Sequence, residues 1–242
     1  MSSANDLMQK IKDEGIKYVD GSSIAGWKAI NESDMVLMPD NDSAYVDPFF
    51  SAPTLCVNCD ILEPATYQPY NRDPRSIAKK AEAFVKTSGV GDFVGFGPEP
   101  EFFLFDDVKY STSKVGFQVD SSELGSNSDA DYEGGNTGHH VGLKKGYFPV
   151  PPVDSAQDIR GEMLEALAAM GVVVEKHHHE VASAQHELGI KFAPMITAAD
   201  HVLLYKYGVQ QVAQSYGKTA TFMPKPVYGD NGSGMHCHQS IW

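Results

Sequence analysis

Residues 97–106 read "GPEPEFFLFD", and the fold turns on whether this stretch is a strand. Alternate residues of an extended chain share a face, so Glu99 and Glu101 project together on one side. Like charges side by side on a sheet are unfavourable unless a cation lies between them. The residues allow two readings. Pro98 and Pro100 suit an edge strand with solvated acids. The run Phe102, Phe103, Leu104, Phe105 argues instead for a well-buried strand whose acidic end holds a metal ion.

Further along, "VEKHHHEVASAQHELG" (174–189) predicts two strands around a bend. The bend brings the carboxylates of Glu180 and Glu187 back to one centre. Three consecutive strand histidines cannot all face one ion, so His177 and His178 are read as packing or hydrogen bonding in the sheet. Carboxylate oxygens with few thiols or imidazoles favour magnesium or manganese over zinc. In "KPVYGDNGSGMHCHQS" (225–240) a glycine-rich turn lets backbone approach a ligand closely. His236 and His238 leave it on one face of a strand, the first suited to manganese and the second to a phosphate or ribose.

Composition narrows the classes. A formal charge of −13 over 242 residues argues against nucleic acid and anionic membrane as partners. No apolar run reaches spanning length and no leader pattern opens the chain, so a cytoplasmic location is expected. Three cysteines make no disulfide framework. Cys56 and Cys59, in "LCVNCD", are expected on opposite faces of one strand, with no second pair to complete a zinc site.

The element order reads as follows. A short helix capped by Asn5 carries Leu7, Met8 and Ile11 inward and ends at Gly15; "IKYV" is a strand. "MVLM" and "TLCVNCDIL" are strands, and "EPATYQPYNRDPRS" (63–76) is a boundary. Asp73 and Pro74 open a helix that stops near Gly89. Residues 106–140 form a long polar excursion. Asp154 or Ser155 caps a helix with Ile159, Met163, Ala166, Leu167 and Met170 on one face. A second helix carries the stripe Val202, Tyr205, Val209, Val212, Tyr216, and "TATFMP" and "GMHCHQSIW" are strands. The expected fold is α+β: a small N-terminal domain over 1–70, then over 71–242 a domain on a curved, mostly antiparallel sheet.

Taken together, the chain resembles type I glutamine synthetases. The resemblance rests on "DGSSIAGWKAINESDM" (20–35), "GPEPEFFLFD", "YEGGNTGH" (132–139), "KKGYFPVPPVDSAQDIR" (144–160), "HHHEVASAQHE" (177–187), "GKTATFMPKP" (217–226) and "NGSGMHCHQS" (231–240), in the family's order. It implies a β-grasp-like N-terminal domain and ATP-dependent ligation of ammonia to glutamate through a γ-glutamyl phosphate. It also implies two or more magnesium or manganese ions and a double-ring homo-oligomer. By position, Glu101, Glu180 and Glu187 match the ligands of a first metal, and Glu99 and His236 two ligands of a second. Glu175, His238 and Ser240 match nucleotide contacts, and Asn231 and Gly232 match contacts to glutamate. Tyr147 and Ser23 match the lining of the ammonium pocket, which Glu180 also serves. Asp20 matches the aspartate that deprotonates ammonium in the neighbouring subunit's site.

Two departures are expected to matter. The sequence stops two residues past Ser240, before the family's phosphate-clamping arginines and the third ligand of the second metal. At Val19–Asp20 roughly thirty residues of the small domain, a few short strands with their turns, are missing. The alternatives are a non-catalytic fragment with partial metal and nucleotide sites, or a related ligase joining glutamate to an amine.

Overall fold

The computed structural model describes residues 35–113, 116–123 and 138–242. Asp20, Ser23, the Asn5-capped helix, "IKYV", the Val19–Asp20 join and most of "YEGGNTGH" lie outside the described residues. The described residues fall into two compact units, one within 1–95, 193–200 and 239–242 and one within 96–192 and 201–238.

In the first unit, strands β1 (Val36–Pro39), β2 (Tyr45–Val46), β3 (Leu55–Cys56) and β4 (Cys59–Leu62) form two antiparallel pairs, β1 with β4 and β2 with β3. The expected single strand "TLCVNCDIL" is thus broken in two. At the break the Asn58 N–H donates to Ser43 Oγ (2.8 Å) and its carbonyl accepts from Asp40 N (2.8 Å), which draws the chain out of line. Cys56 and Cys59 consequently belong to different strands. Helix α1 (Pro74–Ser88) starts and stops where its end residues dictate. Asp73 accepts from the N–H groups of Arg75 and Ser76, and Gly89 closes the helix at φ 72°. Arg75 reaches Asp40 (2.5 Å), Asp60 (2.7 Å) and Asp200 (3.0 Å), so one guanidinium fastens the helix to the β1–β4 strand pair.

The second unit is organised on β5 (Val94–Phe105), most of which lies in it. Antiparallel neighbours follow in the order β5, β9 (Gln185–Ile190), β8 (Val174–His179), while β11 (Thr219–Thr221) and β12 (Met235–Ile241) also pair with β5. The stretch that opened the reading is therefore a central strand, with Phe102, Phe103 and Phe105 fully buried. Its alternation divides two environments. Phe103 and Phe105 stack at 5.8 Å and pack with Ala182 and Ala184. Against this cluster lie Val108 and Val119 of a hairpin, β6 (Asp107–Tyr110) and β7 (Phe117–Asp120). Part of the expected long loop is thus sheet.

On the other face Phe102 meets Tyr205 edge-on and Phe222 at 5.8 Å. Helix α2 (Gln157–Ala169) buries Ile159, Met163 and Leu167 as its periodicity predicts. Its expected cap is different: Asp154 turns its carboxylate to the buried Arg160, and Ser155 donates to Glu123 (3.0 Å). A buried guanidinium is tolerated only when paired, and that need outweighs capping. The short β10 (Ala193–Pro194) leads into α3 (Met195–Ser215), whose Tyr205, Val209 and Val212 are buried. Tyr216 lies beyond the helix, exposed, and donates to Glu162.

The pairing of β5 with β9 ends at Glu101↔Glu187, beside Pro100, which has no N–H to offer. Tyr205 fills the gap, accepting from Leu188 N (2.9 Å) and donating to Pro100 O (2.7 Å). One hydroxyl therefore fixes the backbone next to both Glu101 and Glu187. Tyr205→Phe leaves a buried N–H and carbonyl unpaired and is expected to cost about 1–3 kcal/mol, measured by urea unfolding against the parent chain.

Candidate active site

The register of three strands sets a row of charged side chains. Glu101 on β5 is directly opposite Glu187 on β9, and Glu187 is directly opposite His178 on β8. Glu180 follows β8 at the turn into β9, its N–H bonded to Gln185 O (2.7 Å). The three carboxylates thus lie on one face of the sheet, with donor atoms of His178, Glu180 and Glu187 all within 4.8 Å of one another. The three histidines alternate: His178 is in the row, while His177 and His179 point to Arg160 and Glu123 on the other face.

The buried turn between Glu180 and Gln185 has no ladder to satisfy its donors, and side chains supply the acceptors. Val181 N donates to Glu180 Oε2 (3.0 Å), Ala182 N to Gln185 Oε1 (3.1 Å), Ser183 N to Asp230 Oδ2 (3.2 Å) and Ala184 N to Glu123 Oε2 (2.5 Å). Gln185 also donates to Glu101 Oε2 (2.6 Å) and Gly232 O (2.9 Å). Gly234 N donates to Glu101 Oε2 (3.3 Å) and its carbonyl accepts from Glu101 N (3.1 Å). Gly146 touches the turn from another side, because a Cβ there would run into the Glu180 carbonyl and the His179 ring.

The three carboxylates differ in what ionises them. Burial raises the pKa of Glu187, and Glu99, Glu180 and Glu101 add repulsion that His178 offsets only in part. Burial likewise raises Glu101, against the Gly234 N–H, and Glu180 adds to it. Burial also works against ionised Glu180, but the His178 hydrogen bond and the Val181 N–H outweigh it and hold the group below the ordinary range. Two crowded carboxylates with too few donors, beside a third already held, fit a hard divalent cation. The row opens on a cavity of about 480 Å³ lined by Glu101, Glu180, Gln185, the 231–234 turn and His236.

A second cluster, Glu123, His179 and His186, also brings donor atoms within 4.8 Å of one another. Three of its four ring nitrogens have hydrogen-bond partners. His179 lies 2.6 Å from Glu180 O and 2.9 Å from Glu123 Oε2, both acceptors, so both nitrogens donate. His186 Nδ1 accepts from Arg160 (3.1 Å), so its hydrogen is on Nε2. This cluster is a hydrogen-bonded support for the turn.

The other expected residues fall as follows. His236 is exposed, its Nδ1 3.7 Å from Glu99 and 3.9 Å from Glu101, and His238 Nε2 is 3.3 Å from Glu99. Asn231 and Gly232 line the cavity. Tyr147 stands edge-on to the His178 ring at 5.7 Å. Glu175 is exposed at the β8 irregularity and is not joined to the row among the described contacts. Ser240, in the first unit, accepts from the Trp242 indole (3.0 Å). His177 and His178, read as packing or hydrogen bonding in the sheet, do bond to Arg160 and Glu180. Sequence reasoning missed Gln185, Glu123, Asp230 and Gly146; only Gln185, two residues before Glu187 on a strand, carried a signal.

Antiparallel strands here bear an acidic row over a glycine-rich turn, all on one sheet-based unit. Residues 71–242 match the glutamine synthetase catalytic domain and residues 1–64 its beta-Grasp domain. The chain belongs to the glutamine synthetase family. It is 60% identical over 276 aligned residues to a glutamine synthetase of Bradyrhizobium diazoefficiens, covering all of this chain and 59% of that one. Against one from Azorhizobium caulinodans the identity is 68%, over 92% of this chain and 48% of the relative. The cryo-EM structure of Plasmodium falciparum glutamine synthetase superposes with a TM-score of 0.80 at 34% identity, over 93% of this chain and 44% of that one. The chain therefore spans about half the length of these relatives. Among the described residues no helix is long and apolar enough to cross a membrane.

The raised pKa values of Glu101 and Glu187 have a definite sign. Their protonated forms favour the folded state, so that stability is full below the unfolded carboxylate range and is lost as pH rises through the raised folded values. Glu187→Gln removes one charge of the pair and is expected to stabilise the metal-free chain by about 0.5–1 kcal/mol at pH 7.5, the gain fading toward pH 4. Manganese at about a hundredfold over its Kd should stabilise the parent by about 2.7 kcal/mol and the variant far less, read by calorimetry with and without the ion.

Proposed function

We propose that the chain carries the cation- and substrate-binding part of a glutamate–ammonia ligase that uses ATP to make glutamine. The observation behind this reading is the meeting of Glu101, Glu180 and Glu187 beside the cavity rimmed by Asn231–Gly234. Glu101, Glu180 and Glu187 hold one cation, and Glu99 and His236 contribute to a second, each of them magnesium or manganese. When bound, such ions neutralise charge on the transferring phosphoryl group and on the attacking and leaving oxygens.

The chain's own residues have the remaining roles. Glu175, His238 and Ser240 contact the nucleotide, and Asn231 and Gly232 orient glutamate. The γ-carboxylate oxygen forms a bond to the terminal phosphorus as the bond to the ADP oxygen breaks, giving a γ-glutamyl phosphate. Ammonium has no lone pair with which to attack, so Glu180, Tyr147 and Ser23 bind it and Asp20 takes its proton. The nitrogen then bonds to the acyl carbon and phosphate leaves. Division at residue 70, a cytoplasmic location and double-ring assembly with sites shared between subunits belong to the same reading.

The test joins residues 1–242 to the part of the Bradyrhizobium relative that the alignment does not reach. With manganese, ATP, glutamate and hydroxylamine, this protein is expected to form γ-glutamyl hydroxamate. Asp20→Ala should lower ammonia-dependent turnover by about 10²–10⁴-fold and spare ATP binding. An inactive hybrid beside an active parent relative contradicts the proposal; unchanged ammonia kinetics in the variant remove Asp20 from it.

A further inference from the structure

We propose that His178 is a positioning residue for the cation cluster, its Nε2–H holding one oxygen of Glu180 so that this carboxylate is fixed before an ion arrives. The inference rests on the reading of Glu101, Glu180 and Glu187 as cation ligands. His178 Nε2 lies 2.7 Å from Glu180 Oε1 and 3.7 Å from Glu187 Oε2, and the residue is directly opposite Glu187 in the sheet. The other Glu180 oxygen accepts from Val181 N (3.0 Å). A carboxylate has about four lone-pair sites. Two are taken by these donors, which fix the plane of the group, and the others stay open to an ion.

The ring itself is held by packing. Phe148 stacks on it with centroids 4.9 Å apart and planes at 21°, and Tyr147 meets it edge-on. Its Nδ1 is buried without a hydrogen-bond partner, so the bond to Glu180 is the polar contact that orients the ring. Packing brings the imidazole to the row and one hydrogen bond passes that order to Glu180. Partners of this kind around metal ligands typically alter affinity by about 10–100-fold.

Two substitutions separate donor from ring. His178→Gln keeps an N–H near the position of Nε2 and loses the stack; His178→Phe keeps the stack and loses the donor. Manganese affinity of the 242-residue chain is read from the EPR signal of the free ion, and metal-free melting curves report the fold. The Phe variant is expected to bind about 10–100-fold more weakly and the Gln variant within about threefold of the parent. Phe148→Leu, which removes the stack and leaves the donor, should also stay within about threefold. Parent-like binding by the Phe variant overturns the inference. So does a Gln or Phe148→Leu variant as weak as the Phe variant is expected to be, because packing would then be the whole effect. A parent chain that takes up no manganese overturns the carboxylate reading and this inference with it.

Discussion

Glu101 and Glu187 face each other on adjacent antiparallel strands, and much of the second unit can be understood as the means of keeping them there. Opposed like charges repel, and a buried carboxylate without donors costs several times what a satisfied one does. Glu101 has the Gln185 amide and the Gly234 N–H, and Glu180 has His178 and Val181 N. Among the described residues the Glu187 carboxylate has no hydrogen bond, only His178 at 3.7 Å. A divalent cation there would supply what Glu187 lacks and remove the repulsion at the same time.

Such a cluster needs a stiff frame, and the frame follows from the demand that buried backbone donors be satisfied. The turn after Glu180 has four consecutive N–H groups, each bonded to a side-chain oxygen. Those acceptors come from Glu180, Gln185, Asp230 and Glu123, so the demand of one turn recruits segments distant in sequence. Asp230 immediately precedes Asn231 and Gly232, which ties the cavity's glycine-rich rim to the turn that carries Glu180. Tyr205 does the same from the opposite face, where proline interrupts the ladder.

What the sequence revealed and what it hid divide along physical lines. Strand parity put Glu99 with Glu101 and kept the three histidines from one centre, because alternation is a local property of extended chain. The helix opened by Asp73 and closed by Gly89 was legible for the same reason: caps act within a few residues. Register is not local. That Glu101 meets Glu187, and Glu187 meets His178, depends on the length and conformation of a turn held by Glu123 and Asp230. Asp154 resembled a cap, but a buried arginine six residues later claimed its carboxylate. The break between Cys56 and Cys59 was hidden because a serine hydroxyl and a backbone amide from fifteen to eighteen residues earlier cause it.

The central claim is that the acidic row is a cation site, with the His–Glu cluster on the other face as its support. Crystals of the chain grown with manganese and measured at the manganese absorption edge test it most directly. The account predicts an anomalous peak within about 2.0–2.6 Å of carboxylate oxygens from Glu101, Glu180 and Glu187. No peak there in manganese-saturated crystals, or a peak on Glu123, His179 and His186 instead, would contradict it.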